Sequence, residues 1–534
     1  MLVSGALTLL CSAAAAGPLT REPYLQQVTM ESALVVLGVK NPCIATLRLG
    51  ETGRALEPVA SDGAPRTTHV IALKNLRANT AYDYAIEVCG ESVGPFTFQT
   101  APGPGDPIQF IALGDSGTGS TAQMRVVEAM RRVQPQPQLL LALGDNAYAS
   151  GTHEEFQSRF FTPMASMLRR APVFATPGNH DYATETAQPY FDNFHLPTNN
   201  PTGTERYYSF EWGDAHIVSI DTNCAMGLAG GLCSPREQRE WLIDDLRASP
   251  AKWKLVIMHH PPFSSGVHGD DSPIRGLFAS LFEQGGVDLV LTGHDHDYER
   301  TYPLLAESVA PKEKRGVTYL VVGSGGAVLR KFPRRQPAWS AARNDKDYGF
   351  LDVRIDKDVL TGRLVSADGG IADEFVISKR LDLRLTATAT PTKGPAPLTV
   401  AFTAVPSHEG ASIAWLQGER SSLGTGPTLT HVFTEPGRYQ VQVRGTLGSA
   451  STMNFLPIEV EAAPPPPRVS EPSVPPPLPS PPVDASPPPR PRPEVTTTAP
   501  PPPRGCAGNA MGSFVVTLLG ISRRRATGSR TKHG

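Results

Sequence analysis

LLLALGDNAYAS, residues 139–150, is an apolar run of strand character that stops at Gly144 and delivers Asp145 and Tyr148 to the loop beyond it. A carboxylate has two oxygens and can bridge two cations. Asp145 is therefore placed to sit between two metals, and Tyr148, three residues on, to reach one of them. This stretch decides the fold only if other strands deliver matching groups.

Four further runs do so. IQFIALGDSG brings Asp115, PVFATPGNHD brings Asn179 and His180, WKLVIMHHPP brings His259, and VDLVLTGHDH brings His294 and His296. Each candidate stands just past the carboxyl end of a predicted strand, the edge along which open α/β sheets bind ligands. Gly114, Gly144, Gly178 and Gly293 precede the candidates, as sharp turns and close backbone approach require.

The series GDSG, GDNAY, GNHD, VIMH and GHDH resembles, in order and residue type, the five motifs of purple acid phosphatases, within the calcineurin-like metallophosphoesterases. The resemblance implies a dinuclear metal centre, with Asp115, Asp145, Tyr148 and His296 on one metal and Asp145, Asn179, His259 and His294 on the other. It also implies hydrolysis of phosphate esters by a metal-bound hydroxide, with His180 as proton donor and His268, nine residues beyond His259, contacting phosphate from outside the ligand sphere. The donor chemistry agrees. Carboxylates and a phenolate suit Fe(III), while imidazoles and an amide oxygen suit a divalent zinc, manganese or iron. Two such cations roughly 3.5 to 4 Å apart clamp a phosphoryl group for in-line displacement.

Any one of these motifs alone is more often a turn or a surface pair. Five in order, each after a strand, are not. Other histidines read more plainly: His216 lies inside an apolar run and reads as structural, and His153 and His195 read as surface or packing residues. His260 is as well explained by orienting its neighbours as by catalysis. Tyr298, Glu299 and Arg300 follow the HDH directly; they either shape the mouth of the site or form a simple Glu299 to Arg300 surface pair.

Around this catalytic stretch the 534 residues divide into several units. Residues 1–16, apolar and ending in a small-residue run, read as a secretory signal cleaved near Gly17. With no Lys or Arg before the apolar part, the expected basic segment would lie upstream of Met1. No lipobox precedes Cys11. Residues 17–101 alternate as short strands and resemble the fibronectin type III-like domain of plant-type purple acid phosphatases. Residues 102–380 read as an α/β catalytic domain, an αββα metallophosphoesterase sandwich of two sheets between helices. Residues 383–461 return to strands, with a central Trp415, and resemble a PKD domain, an immunoglobulin-like all-β sandwich. Residues 462–504 form a proline-rich linker. Residues 505–534, with Cys506, a short apolar run and Arg523–Arg525, resemble a surface sorting signal, which implies anchoring through Cys506.

Cysteine usage fits export. Cys43 and Cys89 lie at predicted strand ends and are open to two readings, a disulfide or two buried thiols; Cys224 and Cys233 flank a glycine-rich loop and read as a local disulfide. The charge balance, 49 basic against 51 acidic residues, provides no broad surface for nucleic acid. The leading expectation is an exported phosphomonoesterase. A phosphodiesterase would use the same metal site. A surface adhesion protein with a vestigial catalytic domain would have lost at least one proposed ligand, and none is lost.

Overall fold

All five ligand-bearing runs are strands, and almost every residue in them is buried: Ile108–Leu113, Leu139–Leu143, Val173–Thr176, Trp253–Ile257 and Leu289–Thr292. Continuous apolar sequence of this kind suits parallel strands covered on both faces. In this computed structural model the described residues are 17–464, apart from 312–313, 334, 380–382, 418–420 and 448–449. The expected signal segment, nearly all of the proline-rich linker and the tail with Cys506 lie outside the described residues.

The catalytic domain has two sheets. In the six-stranded one, Val173–Thr176, Leu139–Leu143 and Ile108–Leu113 run parallel, and antiparallel strands Gly349–Asp356, Val359–Ser366 and Ile371–Ser378 extend it. In the seven-stranded one, Ala215–Ser219, Trp253–Ile257, Leu289–Thr292 and Thr318–Val322 form the parallel centre. The Gly114 amide donates to the Val322 carbonyl (2.9 Å), joining the two sheets at the carboxyl ends of their strands. That junction is where the candidate ligands gather.

The helices form where apolar spacing and caps agree. Thr121–Arg132 starts at Ser120, whose hydroxyl accepts from the Gln123 amide, and buries Val126, Val127 and Met130. Pro235–Ala248 has proline at its first position and buries Trp241, Leu242 and Leu246. Its Asp245 pairs with His216 (2.8 Å), which also meets Glu211 (2.7 Å). His216 is thus structural, linking helix to sheet.

Two sandwiches flank this domain. The first has three strands facing four, and its Cys43–Cys89 disulfide settles the open alternative for those cysteines. The second spans Leu385–Thr390 to Ala450–Glu461 as sheets of three and five strands; Trp415 is fully buried at its centre and donates from its indole to the Gly426 carbonyl (2.9 Å).

Candidate metal centre

Three of the candidate ligands, Asp115, Asp145 and His294, have left-handed backbones with φ of 56°, 52° and 73°. Each follows a glycine at a strand end, so the chain turns sharply enough to aim the side chain back across the strand ends. Glycine at 178 is required for space. A Cβ there would stand 2.1 Å from Asp145 Oδ1.

The side chains converge in two groups. In the first, the Tyr148 hydroxyl is 3.0 Å from Asp115 Oδ1 and 3.1 Å from His296 Nε2, and His296 Nε2 is 3.5 Å from Asp115 Oδ1. In the second, Asn179 Oδ1 is 3.1 Å from both His259 Nε2 and His294 Nδ1, and His259 Nε2 is 3.5 Å from Asp145 Oδ1. Asp115, Asp145 and His259 are buried with ligand atoms close enough to share an ion, and His259, His260 and His294 form a second such cluster.

Hydrogen bonds beyond the cluster choose which ring atoms face inward. His259 donates from Nδ1 to the Leu143 carbonyl (2.9 Å), and His296 donates from Nδ1 to the Val328 carbonyl (3.1 Å). Each neutral ring is thereby left with its Nε2 lone pair aimed at oxygen lone pairs. Lone pairs converging on one another need a cation between them, and this donor set fits metals. In the metal-free protein a proton substitutes in part. Burial depresses the His259 imidazole, but Asp145 and Asp115 overcome it and raise it to about 9. Burial, with Asp115 and Asp145, pushes the Tyr148 phenol well above its usual range, so a bound cation is what would ionise it. Metal binding should accordingly release protons.

His180 stands at the open side. Its amide donates to Asp145 Oδ1 (2.9 Å), its Nδ1 donates to the Ala149 carbonyl (2.6 Å), and its Nε2 lies 4.0 Å from Asp145 Oδ2. The His268 ring packs 4.3 Å from the His294 ring, centre to centre. All nine side chains singled out in the sequence come together here. His260, buried, is held by Thr222 Oγ1 (2.7 Å) just ahead of the Cys224–Cys233 disulfide. Tyr298, Glu299 and Arg300 correct the surface-pair alternative. Glu299 is buried and accepts from the Ser265 amide and hydroxyl (both 2.6 Å), whereas Arg300 and Tyr298 both bind Asp373, each 2.7 Å from its Oδ2. Successive strand residues point to opposite faces, which keeps 299 and 300 apart.

Sequence reasoning missed Asp181 and Arg330. Asp181 is buried and accepts from the Gly178 amide (2.8 Å), the Asn146 amide (3.0 Å) and the Ala147 amide (3.2 Å), tying two ligand loops together. Burial and the neighbouring Asp145 raise its carboxyl to about 7. The D of GNHD was its only signal. Arg330 comes from a loop with no motif.

Residues 108–298 match the calcineurin-like phosphoesterase family, 316–374 an iron/zinc purple acid phosphatase-like C-terminal region, and 383–460 the PKD domain. An uncharacterized protein of Mycobacterium tuberculosis is 28% identical over 407 residues, 61% of this chain and 76% of the relative. Acid phosphatase type 7 of Mus musculus is 28% identical over 320 residues, 54% and 70% of the two chains. The fold is similar to that of a purple acid phosphatase from yellow lupin (Lupinus luteus) seeds, with TM-score 0.57, 20% identity, and 67% of this chain and 74% of that one covered. The chain thus carries a calcineurin-like phosphoesterase domain with a purple acid phosphatase-like C-terminal region, followed by a PKD domain.

Proposed function

We propose that the chain is an exported phosphatase that hydrolyses phosphate monoesters at a dinuclear metal centre. The observation that carries this reading is the convergence of seven donor side chains, Asp145 among them, in two unequal groups. Asp115, Asp145, Tyr148 and His296 are assigned to one metal, which their hard donors suit to iron(III). Asp145, Asn179, His259 and His294 are assigned to the other, a divalent zinc, manganese or iron. When bound, the pair supplies Lewis acidity and an activated water for displacement at phosphorus.

The chain's own residues do the rest. Leu143 and Val328 hold the ligand imidazoles in register through their carbonyls. With His180 Nδ1 spent on the Ala149 carbonyl, its Nε2 faces Asp145, and a proton carried there is available to the departing ester oxygen. His268 sits beside His294, where an anionic phosphoryl oxygen would be received. The fibronectin type III-like reading of the first sandwich and the domain limits at 17–101, 102–380 and 383–461 belong to the same proposal. Export is supported by the two disulfides and by the PKD domain.

The test is hydrolysis of 4-nitrophenyl phosphate beside bis(4-nitrophenyl) phosphate by protein loaded with iron and zinc. Faster monoester turnover is expected, with Asp145→Ala at least ~1,000-fold slower. Equal rates for wild type and Asp145→Ala would remove the site. Faster diester turnover would move the substrate class to phosphodiesters. A purple colour on loading is expected from Tyr148 on iron(III); a colourless protein shown to contain ferric iron would remove that ligand assignment.

A further inference from the structure

The loop that follows Thr318–Val322 crosses His296 and is fastened to it twice. His296 donates to the Val328 carbonyl (3.1 Å), and the Arg330 amide donates to the His296 carbonyl (3.0 Å). Val328 between these points is 78% exposed, so the loop forms the rim of the site. Arg330 is thus fixed at its backbone to a candidate ligand. Its guanidinium Nη1 donates to His268 Nε2, and the His268 ring lies against His294. His268 is itself held in place through its amide, which donates to Asp295 Oδ1 (2.8 Å).

No carboxylate among the described residues pairs with Arg330. Of the acids close to this loop, Asp345 accepts from Lys331 (3.2 Å) and from the Phe332 amide (3.1 Å), and Asp295 accepts from Ser264 and His268; the buried Asp297 carboxyl makes no side-chain hydrogen bond among the described residues, to Arg330 or to any other group. A guanidinium held beside a phosphate-handling site with only a neutral ring nitrogen as partner has donors left for an anion. The ester class decides whether that anion is present. A monoester dianion carries three non-bridging oxygens, so a bound metal pair that took up two of them would leave one for a further donor. A diester carries two and would set a carbon-bearing ester oxygen against the guanidinium, stripping water from it without replacing the charged hydrogen bond.

We propose that Arg330, together with His268, binds the third non-bridging oxygen of the substrate and selects phosphate monoesters over diesters. This rests on the phosphatase reading above, and names the residue that separates its two ester classes.

The test uses the full metal-loaded chain with Arg330→Gln and Arg330→Lys, and reads binding as well as rate. Calorimetry should show inorganic phosphate binding roughly 30-fold weaker in Arg330→Gln, with dimethyl phosphate unchanged. The kcat/KM for 4-nitrophenyl phosphate should fall about 100-fold, and that for methyl 4-nitrophenyl phosphate by less than about 3-fold. Metal content should stay at the wild-type level. Arg330→Lys keeps the charge but loses the planar fork, so it should recover part of the monoester rate; it also decides the matter if the glutamine variant does not fold, by losing monoester rate alone. An unchanged phosphate affinity, or equal losses on both esters, would overturn the proposal. A wild type that hydrolyses neither ester yet loses phosphate affinity in Arg330→Gln would support the clamp and remove the catalytic reading.

Discussion

The two β-sandwiches share an architecture and differ in what their cores belong to. The first is continuous with the catalytic domain: Tyr24, Leu25 and Val28 lie in one apolar cluster with Phe156, Phe160, Phe161 and Met164. Arg21 reaches Gln157 (2.7 Å) and Asn193 (2.5 Å) and lies over the Phe161 ring at 4.0 Å, while Gln26 donates to the Val173 carbonyl (2.7 Å). Val173 opens the strand that leads to Asn179. The PKD domain closes its core on itself, around Trp415, Val400, Phe402, Val441 and Val443. Similar sheets are therefore a structural part of the enzyme in one case and an appended module in the other.

Truncation should separate the two most sharply. A chain beginning at residue 102 exposes the apolar face of Phe160, Phe161 and Met164 and is expected not to fold or hydrolyse phosphate esters. A chain ending near residue 380 should keep the full rate per metal-loaded site. Active protein from the first truncation would break the comparison.

Metal removal should come next in size. Two ions each at about 100 times their Kd stabilise what binds them by roughly 5 kcal/mol together. A chelator should lower the melting transition of the fused unit and leave that of the PKD domain in place, as calorimetry would resolve. A single transition that moves as a whole would mean that the PKD core is coupled to the site.

A smaller effect is expected with pH. Burial lowers the His216 imidazole, but hydrogen bonds to Asp245 and Glu211 outweigh it and raise the group to about 9. A raised histidine contributes stability that is complete below its unfolded value near 6.5 and is lost as pH rises through about 9. His216→Gln should therefore cost about 2 kcal/mol at pH 6 and almost nothing at pH 10. Only the fused unit should respond. None of the described residues beyond 382 is a buried charged group. A cost that did not shrink with pH would place the role of His216 in packing alone.

The strands, their order and the candidate ligands were legible because each depends on a few neighbouring residues: an apolar run, a glycine, then a donor. Backbone turns at Asp115, Asp145 and His294 are local in the same sense, being set by the glycine before each. The two cysteine pairs were legible as pairs, but for Cys43 and Cys89 only the 5.4 Å between their Cα atoms chose the bond over free thiols.

What tertiary structure alone decided was partnership across long separations. Arg300 and Glu299 looked like a pair because they are adjacent, yet the pleat sends them to opposite faces and gives Arg300 to Asp373. Asp181 reads as the tail of a motif until Asn146, Ala147 and Gly178 are seen donating to it. Arg330 has no motif at all, and it stands beside His268 only because the sheet brings its loop over His296. The sequence by itself determined which atoms could bind metal, since that is a property of residue type and local turn. The fold determined which atoms face each other and which sandwich shares the core, since those depend on how distant strands are laid side by side.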